Sequence, residues 1–293
     1  MENISHRVII ASVYYNRADW HIFIRFIYPH LSKAFDAGML NCFYMQLNTY
    51  RGDHVKLVIH PAAHCESLEE RFSELISNFL ECHPSADNEV AYPVNDFFMP
   101  YPNNSVWINH NRNQTLLYTD KSNAIEDLQM QVSLAMVAAL GDEEITLEST
   151  VSFLVYMHLV MLYTICDDFR QAQVFLNELI YSDQTKLPPE EIRNQEKESA
   201  WFFFQQLFDE NRMLLVQMVY DVWKLRDEEN GMEWLDTWKN NCKHFLDGRD
   251  LPSSFFHLSG LIANQANFTS AVSLSSLTLK LIHKLLSYIG THP

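Results

Sequence analysis

The stretch Cys42–His60, which reads CFYMQLN TYRGD HVKLVIH, decides the fold that this sequence predicts. Its two outer segments are rich in β-branched and aromatic residues, and the segment between them contains Gly52. This is the pattern of a β-hairpin. The second strand alternates apolar side chains with His54 and Lys56, so one of its faces is predicted to be buried and the other to face a cleft or solvent.

The segments on either side of this hairpin predict further strands and helices. Val8–Tyr15 is β-branched and aromatic, as expected of a mostly buried strand. Asp19–Phe35 has apolar residues near helical spacing and predicts a helix. Ser67–Cys82 predicts a second helix, in which Ser67 and Glu70 would form a capping box.

The rest of the chain is predicted to be irregular as far as Thr119 and helical afterwards. Asn88–Thr119 mixes proline, asparagine and aromatic residues, which is typical of loops and short strands. Helices are predicted, with some of them broken in two, at Asn123–Ala139, Leu147–Tyr181, Pro189–Arg226, Met232–Phe245 and Ser253–Tyr288. Strands followed by helices indicate an α+β fold. We interpret residues 1–293 as a single domain with a β-rich part (1–120) and a helical part (121–293).

The composition indicates an acidic globular protein. The chain has 293 residues, of which 47% are hydrophobic, and a formal net charge of −16. Apolar content this high excludes a disordered protein. The acid excess argues against nucleic acid as a partner, because phosphate binding needs a dense basic face.

Neither a membrane span nor an export signal is predicted. The most apolar window, Val151–Cys166, is shorter than the about 20 residues that a span needs, and it contains His158. The N-terminal residues lack the basic region and the cleavage site of a signal peptide. The five cysteines are scattered and form no CxxC pair, as free thiols of the cytosol do. We therefore expect a cytoplasmic protein without a membrane partner.

Common cofactor and catalytic motifs do not occur, including glycine-rich phosphate-binding loops and the HExxH pattern of zinc proteases. The sequence therefore predicts no cofactor and no metal. His60, His64 and Cys65 superficially resemble metal ligands. They lack a second ligand pair, so polar residues at the end of a strand are the favoured interpretation.

Other clusters have a structural and a functional interpretation. Asp167 and Asp168 follow an apolar helix, and a solvated helix end is favoured over a catalytic carboxylate pair. The aromatic run Trp201–Phe204 and the pair Trp234 and Trp238 fit a helical core or an interface better than an aromatic cage.

His257 is a candidate general acid or base. It follows the predicted N-cap Ser253 by four residues, and Asn264 lies seven residues further on the same helical face. A histidine with a pKa near neutrality is the usual proton carrier in enzymes. A structural histidine is the alternative that the residues alone leave open.

The stretch Trp20–Pro61 resembles the start of the elimination-type domain of lantibiotic dehydratases. The same domain occurs alone in thiopeptide-type bacteriocin biosynthesis proteins. In that family a helix precedes a strand like fFiRY, a turn with glycine and a strand like HlRlR. Cys42–Leu47 occupies the first of these strands, Gly52 the turn and His54–Val58 the second strand.

Two later segments also resemble the family. Tyr118–Ser122 is similar to its F..DS segment, and Ser253–Asn264 is similar to its S..HM..NR helix. The second match places His257 on the family's C-terminal histidine. The resemblance covers nearly the whole chain in order and length, although each motif is loose.

The sequence departs from the family where arginines are expected. Gln46 takes the place of the arginine in the first strand, and Lys56 and Val58 take the places of the two in the second. Gln265 takes the place of the arginine in the final helix. A lysine supplies charge but not the bidentate fork of donors with which arginine holds a carboxylate.

The resemblance implies an enzyme that modifies a ribosomally made peptide at Ser- and Thr-derived residues, and the reaction stays open. A lyase of this family eliminates glutamate from a glutamylated residue, whereas a pyridine-forming enzyme joins two dehydroalanines by a formal [4+2] cycloaddition. A non-catalytic subunit that binds the precursor peptide or a dehydratase is the third interpretation. The expected partners are a precursor peptide (leader plus core), a separate glutamylating dehydratase and a second copy of the chain in a homodimer.

The same resemblance assigns the candidate site residues. His257 and Lys56 are the expected catalytic residues. Residues expected to bind the substrate are Gln46, His54, Tyr44, Arg112 and Tyr118.

Overall fold

The β-branched segments near the N-terminus pair into an antiparallel sheet of four strands in the computed structural model, which describes residues 8–49, 51–62, 67–86, 101–109, 123–184, 194–224, 233–266 and 274–291. The strands are β1 (Ile9–Tyr14), β2 (Leu40–Asn48), β3 (His54–Pro61) and β4 (Ser105–Asn109). Their order across the sheet is β2, β3, β1, β4. The predicted hairpin is confirmed as β2 and β3, and β1 pairs with the far edge of β3.

The turn of the hairpin depends on Gly52, which has a φ of +121°. A β-carbon at this position would lie 3.3 Å from the Tyr14 ring. Side chains rarely adopt this backbone conformation, so glycine is required here for both its dihedral angle and its size.

The predicted apolar face of β3 is confirmed, because Val55, Leu57 and Ile59 are fully buried on one face of the sheet. The opposite face is less open than predicted, because His54 and Val58 on it are also buried and Lys56 is half-buried. Helices α1 (Trp20–Asp36) and α2 (Leu68–Cys82) supply the rest of this core. The core residues of the two helices are Trp20, Phe23, Ile24, Ile27, Leu31, Leu68, Phe72, Ile76, Phe79 and Leu80.

The predicted capping box at α2 is wrong. The helix begins at Leu68, and the Ser67 side chain makes no capping hydrogen bond. The reason lies in the backbone of Ser67, whose φ of −87° and ψ of 6° depart from the extended conformation that aims an N-cap oxygen at the first turn.

The second half of the chain is helical, so the predicted α+β class is confirmed. The helices that follow β4 are α3 (Asn123–Leu140), α4 (Leu147–Ile165), α5 (Phe169–Gln184), α6 (Asn194–Lys224), α7 (Glu233–Leu246), α8 (Leu251–Ala266) and α9 (Leu274–Thr291). The chain forms two compact units. The first contains Met1–Thr146 and Gln265–Ser270, and the second contains Leu147–Asn264 and Ala271–Pro293.

Aspartates set two helix starts that the sequence placed only roughly. The predicted helix Leu147–Tyr181 is broken at 166–168, where the Asp168 carboxylate accepts a hydrogen bond of 2.8 Å from the backbone N–H of Gln171. Asp167 and Asp168 are exposed, which confirms the solvated helix end. The last predicted helix starts two residues earlier than expected, because Asp250 accepts from the N–H of Ser253 at 3.2 Å.

Helix α4 is the central helix of the second unit and packs against α6, α7 and α9. Its window Glu148–Ile165 is long and apolar enough to cross a membrane, and 67% of that window is buried inside the protein. Trp238 of α7 is fully buried and donates from Nε1 to the Met157 carbonyl at 3.3 Å. This confirms the interpretation of Trp238 as a residue of the helical core.

Candidate functional site

The face of the sheet opposite the α1–α2 core carries the polar residues. Because side chains alternate along each strand, Tyr44, Gln46, His54 and Lys56 all lie on this polar face. These four are all of the predicted site residues that the structure describes in the first unit. The register is set by the hairpin, which pairs Gln46 directly with Lys56.

One row of the polar face crosses all four strands. Gln46 pairs with Lys56, Lys56 pairs with Ser12 of β1, and Ser12 pairs with Trp107 of β4. Neighbouring strands lie about 4.8 Å apart, so the backbones at Lys56 and Trp107 are separated by roughly 10 Å with Ser12 between them. Ser12 has the smallest side chain of this row. We call the row (Gln46, Lys56, Ser12 and Trp107) the sheet trough.

The sheet trough is partly open to solvent. Gln46, Lys56 and Ser12 are half-buried, and Trp107 keeps 51% of its surface exposed. Burial lowers the pKa of Lys56. Among the residues that the structure describes, no carboxylate forms an ion pair with Lys56. An ammonium group in this setting can donate hydrogen bonds to a carbonyl or to a developing oxyanion.

The neighbouring row contains a ladder of aromatic rings. The ring centroids of His54 and Tyr14 lie 4.7 Å apart, as do those of Tyr14 and Tyr101 and those of Tyr101 and Trp107. The Arg51 guanidinium lies 4.3 Å above the Tyr101 ring. The Tyr101 ring thus packs against Trp107, and the rings of Tyr14 and His54 extend this aromatic surface along the side of the sheet trough.

His54 is held as a neutral base next to Lys56. Burial lowers its pKa, and its Nδ1 lies 2.9 Å from the Gly52 carbonyl. Because a carbonyl can only accept, Nδ1 carries the proton and Nε2 keeps its lone pair. Burial also raises the pKa of Tyr14 to about 12, so its hydroxyl stays protonated and can act only as a neutral donor or acceptor at physiological pH.

Helix α3 covers the other end of the polar face. Tyr44 is 5% exposed, burial raises its pKa, and its hydroxyl bonds to the Gln129 side chain. The Cys42 thiol donates to the Glu126 carbonyl at 3.3 Å, and His60 Nδ1 lies 3.5 Å from a Glu126 carboxylate oxygen. These contacts fix Tyr44 and His60 against α3.

The positions of the family arginines differ sharply in their surroundings. Lys56 and Gln46 face the sheet trough, whereas Val58 is 3% exposed between Tyr44 and Ile10 on the neighbouring strands. Gln265 is fully buried and belongs to the first unit. Lys56 is therefore the one cation among these four positions.

The Gln265 amide makes buried hydrogen bonds that could not be predicted from the sequence. Its Nε2 donates to the carbonyls of Met45 and Gln129 at 3.1 and 2.9 Å, and lies 2.9 Å from the Ser133 hydroxyl. The same hydroxyl accepts from the Met45 N–H at 2.8 Å. Since β2 is an edge strand, these contacts satisfy backbone groups that have no neighbouring strand.

His257 belongs to the second unit, whereas the sheet trough belongs to the first. It is half-buried on α8, with its ring 6.5 Å from that of Phe245. Asn264 is exposed. The catalytic assignment of His257 stays a prediction.

The second unit contains a buried histidine that the sequence did not single out. His158 is fully buried, with Nδ1 2.6 Å from the Leu154 carbonyl and Nε2 2.7 Å from the Ser259 hydroxyl. Burial lowers its pKa to about 4. Its hydrogen-bond partners make it a neutral structural histidine.

The remaining predicted site residues, Arg112 and Tyr118, lie outside the described residues, as does part of the His60–Cys65 segment. In the described parts of the chain, no group of three or more His, Cys, Asp or Glu side chains could hold a metal ion. Ser12, Trp107 and Tyr101 were missed by sequence reasoning. The lone serine in an otherwise apolar strand was the signal that could have drawn attention to Ser12.

Comparison with known proteins rests on structure, because no family profile and no curated protein matches the sequence. A pyridine synthase from thiomuracin biosynthesis, TbtD, matches with a TM-score of 0.67 and 13% identity, over 98% of this chain and 100% of that one. The protein TsrL matches with a TM-score of 0.57 and 12% identity, over 97% of this chain and 95% of its own.

A larger enzyme shares the fold as one of its parts. The tRNA-dependent lantibiotic dehydratase MibB from Microbispora sp. 107891 matches with a TM-score of 0.50 and 11% identity, over 99% of this chain and 29% of its own length. The resemblance predicted from the hairpin is therefore confirmed at the level of the fold: the chain has the fold that these peptide-antibiotic biosynthesis proteins share.

Proposed function

We propose that this protein is a stand-alone enzyme that modifies a ribosomally made precursor peptide, and that it joins two dehydroalanine residues into a six-membered nitrogen ring. The observation that carries the proposal is the end-to-end match with a pyridine synthase, which covers 98% of this chain and 100% of that one. A partial match to a multidomain dehydratase alone would not favour this reaction over glutamate elimination.

The scarcity of cations at the positions that match family arginines favours ring formation over elimination. Elimination releases glutamate, whose carboxylates call for arginine with its fork of donors. Among the four positions that match family arginines, Gln46 and Gln265 are amides, Val58 is apolar and Lys56 alone is charged. Cycloaddition asks instead that two distant peptide segments be held in a reactive orientation.

The sheet trough offers suitable groups for that task. Lys56 would donate a hydrogen bond to the amide oxygen that becomes the ring hydroxyl, and Gln46 would hold the adjacent peptide unit. Trp107 and its ring ladder would stack on the planar groups of the substrate. The ring would then lose water and the leader peptide, and His257 is proposed as the residue that transfers the protons of these steps.

The proposed reaction needs a peptide that has already been dehydrated. Dehydroalanines arise from serine, so a separate dehydratase must supply the modified peptide. We propose that such a dehydratase and the precursor peptide are the partners of this protein.

Two synthetic peptides separate the reactions. One carries a leader segment and two dehydroalanines, and the other carries a glutamylated serine; both are followed by mass spectrometry. We expect the first peptide to yield a pyridine product that has lost water and the leader, and the second to stay unchanged. Loss of glutamate from the second peptide would establish elimination instead. If both peptides bind and neither reacts, the protein is a non-catalytic binding subunit.

A further inference from the structure

The outer side of the first unit contains a groove between α1 and α2. The two helices pack tightly at one end, where the rings of Phe23 and Phe26 lie 5.4 and 4.4 Å from that of Phe79. At the other end, the second half of α1 and the first half of α2 leave a groove with a volume of about 410 Å³. We call this the α1–α2 groove.

Pro29 lies in α1 between the packed half and the groove half. Proline has no N–H to donate to the carbonyl of Arg25, and its ring crowds that carbonyl. Prolines inside helices commonly cause the helix to bend. The sequence of α1 thus favours a change in direction where the groove begins.

The α1–α2 groove has an apolar floor, and its walls carry two cations and one carboxylate. Ala34 and Met39 lie on one side of the floor, and Leu75 lies on the other. Leu75 belongs to the apolar stripe of α2 but is only half-buried, because α1 does not cover it. An apolar side chain from a ligand would complete this burial at about 25 cal/mol per Å² of apolar surface.

The walls carry Lys33 from α1 and Arg71 from α2, both exposed, together with His30. Among the residues that the structure describes, neither Lys33 nor Arg71 forms an ion pair with a carboxylate. Glu74 is the one carboxylate among the lining residues. The groove thus places two cations beside an apolar floor in a chain whose net charge is −16.

We propose that the α1–α2 groove binds an acidic peptide segment, with an apolar side chain on its floor and carboxylates on Lys33 and Arg71. Charge complementarity selects this occupant. An acidic ligand is repelled by the whole chain at long range, but this repulsion is screened beyond about 10 Å at moderate salt. A local pair of cations then determines where the ligand binds. Arg71 can hold a carboxylate with two parallel hydrogen bonds.

The identity of the occupant as a segment of the precursor peptide rests on the proposed function. The groove lies on α1 and α2, which cover the apolar face of the sheet, so it is separate from the sheet trough on the polar face. A ligand in the groove would increase the local concentration of the tethered reactive residues without taking part in the chemistry.

The test measures binding rather than catalysis, so it stands whether or not the ring-forming reaction is found. The probe is a fluorescein-labelled peptide that repeats Glu-Leu-Glu-Glu-Leu, and its binding to the full chain is followed by fluorescence anisotropy. The double variant Lys33→Glu, Arg71→Glu is expected to raise the Kd for the labelled peptide by about tenfold or more. The matched control Arg170→Glu, Lys224→Glu makes the same charge change on exposed residues of α5 and α6 and is expected to leave the Kd nearly unchanged.

A second variant tests the floor independently of charge. Ala34→Phe fills the groove and is expected to weaken binding to a similar extent, with circular dichroism confirming that the variant is folded. The proposal is overturned if the wild-type chain does not bind the Glu-Leu peptide or binds a Lys-Leu peptide equally well. It is also overturned if both control and groove variants lose affinity by the same factor.

Discussion

Ser12 is a residue whose importance depends on its small size. It lies in the middle of the row Gln46, Lys56, Ser12 and Trp107, where a larger side chain would fill the space between the lysine and the tryptophan. The alternation of β3 predicted which residues share a face with Lys56. It could not predict Ser12, because β1 pairs with β3 across a long stretch of chain and no turn fixes that register.

Filling the sheet trough at Ser12 should block the proposed reaction. We expect Ser12→Phe to lower kcat/KM for the dehydroalanine peptide by about 100-fold, because a substrate displaced by an ångström or more loses its reactive orientation. Ser12→Thr keeps the hydroxyl, suits a strand and adds only a methyl group, so its kcat/KM should stay close to that of the wild type. Steady-state kinetics on both folded variants provides the comparison. Equal activity of Ser12→Phe and Ser12→Thr would place the substrate elsewhere.

Strand β2 lies at the edge of the sheet, and side chains rather than another strand bond to its outward backbone groups. Its outward N–H and C=O at Met45 bond to Ser133 and Gln265. From the sequence, Gln265 was a departure from a family arginine and counted only as a lost cation. Its burial and its three partners could not be read from the sequence, since they bring together β2, α3 and the end of α8.

Substitutions at Gln265 should therefore change stability. Gln265→Met leaves the outward Met45 carbonyl without its side-chain donor and should lower the free energy of unfolding by about 1–3 kcal/mol. Gln265→Arg, which introduces the arginine that the family resemblance predicts here, buries a guanidinium among carbonyl and hydroxyl oxygens and should cost at least about 3 kcal/mol. Urea denaturation measures both.

The neighbouring residue offers a matched control for these variants. Asn264 is exposed, and Asn264→Ala should change the free energy of unfolding by less than about 0.5 kcal/mol. If Gln265→Arg were as stable as the wild type, the structural assignment of Gln265 would be wrong.

At the scale of the secondary-structure elements, the strands and most helices follow from periodicity in the sequence. The hairpin, α2 and α3 begin and end within a residue or two of their predicted bounds. Helix breaks were less predictable, because the start of α5 after α4 depends on a hydrogen bond from the Gln171 N–H to the Asp168 carboxylate.

At the scale of the whole molecule, burial of neutral histidines should make stability depend on pH. The pKa of His158 is lowered to about 4 by burial, and burial also lowers the pKa of His54, His60 and His283. A histidine with a lowered pKa in the folded state favours the unfolded state once the pH falls below its unfolded pKa of about 6.5. Stability is thus fully present above that pH and declines toward about pH 4.

The variant His158→Gln isolates the contribution of one histidine. Between about pH 7 and about pH 5 the wild type should lose roughly 2 kcal/mol more of its free energy of unfolding than the variant does. Urea denaturation at the two pH values gives this difference, in which the contributions of other groups cancel. An identical pH dependence in both proteins would show that His158 is protonated in the folded state or accessible to solvent.

The net charge of −16 also has a more specific meaning once the fold is known. From composition alone, it argued against nucleic acid as a partner, which stays a prediction. The structure adds where three of the chain's 21 lysines and arginines lie: Lys56 is on the polar face of the sheet, and Lys33 and Arg71 line the α1–α2 groove. Their placement depends on pairing and packing, which composition does not report.

The central claim is that the polar face of the sheet performs chemistry on a dehydroalanine peptide, and the activity of Lys56→Met tests it most directly. Methionine keeps the length and the apolar stem of lysine but cannot donate a hydrogen bond. We predict that the rate of pyridine formation, followed by mass spectrometry, falls by about 100-fold or more. The control Lys224→Met removes an exposed cation of α6, outside both proposed sites, and its rate should equal that of the wild type. Pyridine formation by Lys56→Met at the wild-type rate would contradict the account.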